Sequence, residues 1–290
     1  MLVGNLFAQQ DPQYTQYMYN MNVINPAYSG SKEGISLGLL YRSQWSGIDG
    51  APQTGTFFGH SPIGSDLGLG MSVIKDQIGP VEETNVYTDF SYTLNLGSRH
   101  HLAFGLKAGA TFHNIGLAGL DLIDPNDLFF QNISSVSPNI GTGVFYYSEN
   151  YYLAASVPNI INAVHLDANG NKLGSEQVHY FITGGYVFKY GETTKLKPSF
   201  LVKSSFGSTT SFDLNLNVLF YDKFEVGGSY RLDDSFSALV NIAVAKGLRI
   251  GYAYDAVTSD IKRYAPASHE ILILYDLSFT RKVSRSPRYF

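Results

Sequence analysis

Cysteine is absent from the 290 residues, which removes disulfide frameworks, thiolate nucleophiles and cysteine-ligated metals from consideration. Charged residues make up only 15% of the chain, and the net charge of -4 (His neutral) leaves no general nucleic-acid footprint. No run reaches the roughly 18 consecutive apolar residues that a membrane helix requires, although the apolar fraction is an ordinary 44%. A helical inner-membrane protein is thereby excluded. A β-barrel is not, because its lipid face uses only every second residue. The single Trp stands against 21 Tyr and 19 Phe. Tyrosine in such excess suits interfacial girdles, where a ring sits in lipid and its hydroxyl in water.

What the chain does contain is alternation. Over Asn85–Leu96, Val86, Phe90, Tyr92, Leu94 and Leu96 share one parity, and Asp89, Ser91, Thr93 and Asn95 share the other. Successive strand side chains point to opposite faces, so such a strand is apolar on one side and polar on the other. Its length also suits a tilted bilayer crossing, which takes about 9–11 residues. Period-2 reading finds about fourteen such strands. They are Ile35–Tyr41, Thr54–His60, Leu67–Lys75, Asn85–Leu96, His100–His113, Pro138–Tyr147, Tyr151–Pro158, His179–Lys189, Lys197–Ser205, Ser211–Tyr221, Phe224–Leu232, Phe236–Val244, Leu248–Asp255 and His269–Phe279.

The connections carry a second regularity. Tight turns recur at Gly97–Arg99, Ser148–Asn150, Tyr221–Lys223 and Ala245–Gly247, built from the small and polar residues that turns prefer. Between them fall mostly long segments, Arg42–Gln53, Asn114–Ser137, Asn159–Val178 and Asp255–Ser268, with short ones near Gly207 and at Asp233–Asp234. Bacterial barrels place short turns in the periplasm and long loops outside. A soluble sandwich has no reason for this parity. The fold expected is therefore all-β: a transmembrane antiparallel β-barrel of about 14 strands, spanning residues 34–279 in the outer membrane.

Parity also places the charges. Asp89, Lys107, Asp213, Glu225, Arg231, Arg249, Asp255, Glu270 and Asp276 lie on the rows opposite the apolar ones. Arg or Lys facing the bilayer midplane costs about 2–4 kcal/mol, so these charges should face the lumen. They either pair across a narrow, filled interior or line water. By the same rule Leu216→Arg should impair assembly and Asn217→Arg should be better tolerated.

Residues 1–8 resemble the end of a signal peptide, Leu2–Ala8 being an apolar stretch before the polar QQDPQ. The mature chain should begin near Gln9 or Gln10. Residues 9–33 form a periplasmic or lumenal segment in which Tyr14, Tyr17, Met18, Tyr19, Met21, Val23 and Ile24 crowd among Gln and Asn. Tyr17, Met21 and Ile24 have helical spacing, so a short helix or irregular piece should plug the lumen or cap the periplasmic mouth. At the other end, residues 280–290 carry Arg281, Lys282, Arg285 and Arg288 without an acid. This basic tail suits periplasmic anions, inner-leaflet head groups or a protein partner.

Several stretches carry a likeness to a known family: QDPQYTQYMYNMNVINPAYSG at the start, RSQWSGIDGAPQT at Arg42–Thr54, SPIGSDLGLGMSVIKDQIGP at Ser61–Pro80, YRLDDSFSALV at Tyr230–Val240 and GYAYDAVTSDIKRYAPASHEILILYD at Gly251–Asp276. In these the chain resembles the PorP/SprF outer-membrane proteins of the Bacteroidetes type IX secretion and gliding system. The resemblance implies a barrel accessory of secretion, with no catalytic residues and no cofactor. Its partners would be outer-membrane lipid and a secreted adhesin held through its C-terminal domain, or periplasmic motor components, with no small-molecule substrate. Residues suited to partner contact are Tyr14, Tyr17, Tyr19, Trp45 and the four cations of the tail. The rival is a passive porin-like solute channel.

Enzymatic and metal chemistry are thinly represented. His269, beside Glu270, is the best base, but no serine partner is identifiable by spacing. Asp167, Asn169, Gly170 and Asn171 resemble the start of a calcium loop whose distal Glu is missing. Asn132–Ser134 matches a glycosylation sequon, which matters only in a eukaryotic secretory context. The chain reads as a non-enzyme.

Overall fold

The computed structural model describes residues 13–116, 133–161, 164–168, 171–175, 178–205, 210–264 and 267–278. Fourteen antiparallel staves close into a barrel. They are β1 (Gly34–Ser43), β2 (Gln53–Ile63), β3 (Leu67–Ile78), β4 (Val81–Asn95), β5 (His101–Ile115), β6 (Ile133–Tyr147) and β7 (Tyr151–Val157), followed by β8 (His179–Tyr186), β9 (Thr194–Ser205), β10 (Ser211–Phe220), β11 (Phe224–Arg231), β12 (Ser235–Ala245), β13 (Leu248–Val257) and β14 (Ala267–Ser278). Phe188–Tyr190 continues β8 and pairs with the same neighbour, β9. Each stave pairs with its sequence neighbours, and β1 closes the ring on β14 from Gly34↔Ser278 to Ser43↔His269. Closure leaves no sheet edge to expose unpaired backbone in hydrocarbon. A separate hairpin, Val164–Ala168 with Asn171–Ser175, lies in the long β7–β8 connection. It takes in part of the calcium-loop resemblance, whose remaining residues lie outside the described set.

All fourteen expected strands are present. Their ends differ most at the outer rim. The stretch from Asp76 to Thr84 reads as a connection, yet β3 runs to Ile78 and β4 starts at Val81, joined by a turn at Gly79–Pro80. β6 likewise begins at Ile133 rather than Pro138. β4, β5 and β6 are each 15 residues long, more than a bilayer crossing needs. Above the lipid both faces of a strand meet water, so the apolar/polar alternation stops while the hydrogen-bonded ladder continues. Period-2 reading therefore ends these strands too early.

The two faces sort as the parity requires. Leu106 is 64% exposed and Leu216 50%, whereas Asp89 and Glu270 are fully buried. The outward rows are the face that an outer-membrane barrel turns to lipid. The core lies inside the ring, where the chain's own N-terminal segment packs against inward residues of the wall such as Leu40, Phe58, Phe145 and Leu272. Tyr17–Tyr19 and Pro26–Tyr28 form single 3-10 turns around one short α-helical turn, Met21–Ile24. Every residue from Tyr14 to Ser29 is buried. The segment thus plugs the lumen rather than capping its mouth.

Candidate functional site: the filled lumen and its two mouths

Of the expected lumenal charges, Asp89, Lys107, Asp213, Glu225, Arg231, Asp255 and Glu270 are buried, and Arg249 and Asp276 are half-buried. Asp89 and Lys107 stand directly opposite each other on β4 and β5 and pair at 2.7 Å. Asp213 and Arg231 stand opposite on β10 and β11, and the guanidinium donates to both carboxylate oxygens at 2.9 and 2.8 Å. Arg249 approaches Glu225 at 3.5 Å. Asp276 pairs with Lys32 at 3.1 Å, below the lumen segment. Each of these four pairs joins opposite charges, as a desolvated interior requires.

Arg42 escaped the sequence reading because it lies next to the end of β1 and reads as the first residue of a loop. It donates to Glu270 at 3.2 Å and pairs with Asp255 at 2.7 Å, while itself 3% exposed. Glu270 also accepts the backbone N–H groups of Thr15 and Gln16, at 2.9 and 2.8 Å. The Thr15 hydroxyl reaches Asp255 at 2.8 Å. One arginine and two carboxylates on β1, β13 and β14 therefore clamp the upstream turn of the lumen segment. Lys197 was missed as well: it is buried on β9 with its ammonium 5.3 Å from the Tyr152 ring centre.

Further down, the wall continues to hold the segment by polar contacts. Asn215 donates to the Tyr17 hydroxyl at 3.0 Å. The Tyr19 hydroxyl donates to Glu225 at 2.6 Å and accepts from Asn241 at 2.7 Å. Lys107 donates to the Asn22 carbonyl at 3.3 Å and Ser156 to the Ile24 carbonyl at 2.7 Å. Tyr14, Tyr17 and Tyr19, the expected partner contacts, are thus sealed inside the barrel and engaged by its wall.

The lower part of the segment is held by shape. Pro26–Tyr28 lies against β4, β5 and β6. A methyl group on Gly105 would overlap the Pro26–Ala27 backbone, and one on Gly68 would overlap the Ser29 carbonyl. Glycine at these two inward positions lets backbone rest on backbone. No strand periodicity marks such glycines, so the sequence hid them.

At the mouths the remaining candidates separate. Trp45 lies in the outer β1–β2 loop with a left-handed φ of 51°, its backbone N–H donating to the Ser268 hydroxyl at 3.2 Å. Arg281, Lys282, Arg285 and Arg288 lie outside the described residues, as do residues 1–12. His269 points outward, its ring hydrogen-bonded to the Tyr252 hydroxyl at 2.7 Å and packed beside Tyr254. That is an aromatic-belt setting rather than a nucleophile–base arrangement.

A closed fourteen-stave barrel, lipid-facing outside and ion-paired inside, defines an outer-membrane β-barrel protein. The backbone places it beside the toluene transporter TbuX of Ralstonia pickettii (TM-score 0.55, 12% identity, 88% of this chain and 92% of that one). It is also similar to the toluene transporter TodX of Pseudomonas putida (TM-score 0.52, 9% identity, 90% and 94%). At such identities the likeness is one of fold. Within that class the chain belongs to the type IX secretion system membrane proteins PorP/SprF, whose family pattern matches residues 6–275. No curated protein matches it in sequence.

Proposed function

We propose that the protein is a non-conducting outer-membrane scaffold of type IX secretion and gliding. It anchors a secreted surface protein, an adhesin held through its C-terminal domain, or else a periplasmic motor component, by protein–protein contact. One observation carries this reading. The lumen is occupied from Tyr14 to Ser29 by the chain itself, and the wall grips that segment through buried hydrogen bonds, several of them to carboxylates, and through close backbone contacts. A hydrogen bond to a charged group contributes about 1.5–3 kcal/mol, and Glu270 and Glu225 accept three from the segment, so spontaneous emptying of the lumen is disfavoured. What is left for function is the outside of the closed ends, chiefly the long outer loops. The basic tail at 280–290 would serve contact on the periplasmic side.

The porin-like alternative draws on the transporter neighbours, but it needs an open path that the packed segment denies. Purified protein in planar bilayers, paired with pull-down from envelope detergent extract, tests the choice. Electrical silence with a co-purifying secreted or motor protein is expected. Sustained ohmic conductance would overturn the scaffold.

A further inference from the structure

The lumen segment has a direction. Its downstream end sits at the short-turn, periplasmic rim. The Ser29 carbonyl accepts from Ser91 near the lower end of β4, the Gly30 N–H donates to His60 near the lower end of β2, and Lys32 pairs with Asp276 near the end of β14. The upstream end sits at the opposite rim. Thr15 meets Asp255 and Arg42, at the outer ends of β13 and β1. Tyr14 shares a hydrogen bond with Thr56 near the outer start of β2, at 2.9 Å. Arg231, the last residue of β11, donates to the Gln13 side chain at 3.1 Å. The same guanidinium nitrogen donates at 3.2 Å to Asp234, in the turn at 232–234, whose side chain is 43% exposed. Gln13 is thus one shared donor away from a solvated carboxylate on the outer rim.

We infer that the lumen segment is a strap crossing the whole barrel, with its upstream end presented at the cell surface. The partner-facing surface of the outer mouth then includes Gln13 as well as the loops. The periplasm meets only the downstream turn. The topology depends on barrel orientation alone, and the contact role rests on the scaffold reading. A surface protein bound at the mouth would touch the same peptide that fills the lumen.

Because the native chain lacks cysteine, a single introduced thiol reports its side of the membrane without background. Gln13→Cys would be exposed on intact cells to a membrane-impermeant maleimide. Asp49→Cys in the outer loop and Glu149→Cys in the turn at 148–150 serve as references, and heat-modifiable migration confirms that each variant is folded. Gln13→Cys should label on intact cells as Asp49→Cys does, with Glu149→Cys reacting only after outer-membrane permeabilisation. If folded Gln13→Cys behaves like Glu149→Cys, or reacts only when denatured, the strap topology is wrong. Neither outcome depends on whether the barrel conducts or which partner it holds.

Discussion

Lys107 shows how much a single inward residue controls. It neutralises Asp89 at 2.7 Å and donates to the Asn22 carbonyl of the strap at 3.3 Å, with both charges out of reach of water. Lys107→Met should leave Asp89 as an uncompensated buried charge and lower stability by about 3–5 kcal/mol. The double change Lys107→Met with Asp89→Leu should recover most of that loss, because a desolvated pair and an apolar pair of similar volume differ little. Denaturant unfolding in detergent micelles measures both, and equal damage from single and double variants would contradict the pairing. Asn217 refines a simpler expectation. Parity alone ranks Asn217→Arg as better tolerated than Leu216→Arg. Asn217 is 1% exposed and donates to Glu225 at 2.6 Å, so an arginine there must displace packed neighbours and should be poorly tolerated.

At the level of the element, the barrel separates what lipid selects from what the strap selects. Leu216→Arg, midway along β10 on the lipid face, should cost about 2–4 kcal/mol, whereas Tyr190→Arg at the periplasmic rim should cost about 0–1. Comparing heat-modifiable assembly in membranes checks the depth dependence. Gly105→Ala places a methyl against strap backbone that has no side chain to move aside. The strap should then loosen while the lipid face stays intact. Limited proteolysis of the folded barrel should cut the strap in this variant and spare it in the native protein. These elements differed in legibility for a physical reason. Lipid imposes a period of two on every residue it touches, so all fourteen staves and the inward charges could be read directly. The strap imposes shape at scattered points such as Gly68 and Gly105. Water on both faces erases the pattern where β3–β6 rise above the bilayer. Arg42 was lost at that boundary, a stave residue spelled like a loop residue.

For the whole molecule, the relevant quantity is how the two mouths relate. Long connections on one rim and turns such as 64–66, 148–150 and 221–223 on the other give the barrel an outside and an inside. The strap, tied to the outer ends of β1, β13 and β14 and wedged below against β4–β6, runs between them. Glu270→Ala removes the acceptor for Arg42 and for two strap N–H groups at once. It should raise conductance from silence to intermittent openings in planar bilayers, without loss of the folded barrel's migration. Persistent silence would mean that the lower wedge closes the lumen unaided. The fullness of the cylinder bears on traffic as well as on ion flow. An occupied bore offers no corridor to another polypeptide, so any client docked on its outer end has to cross the envelope through some separate gate and arrive already exported.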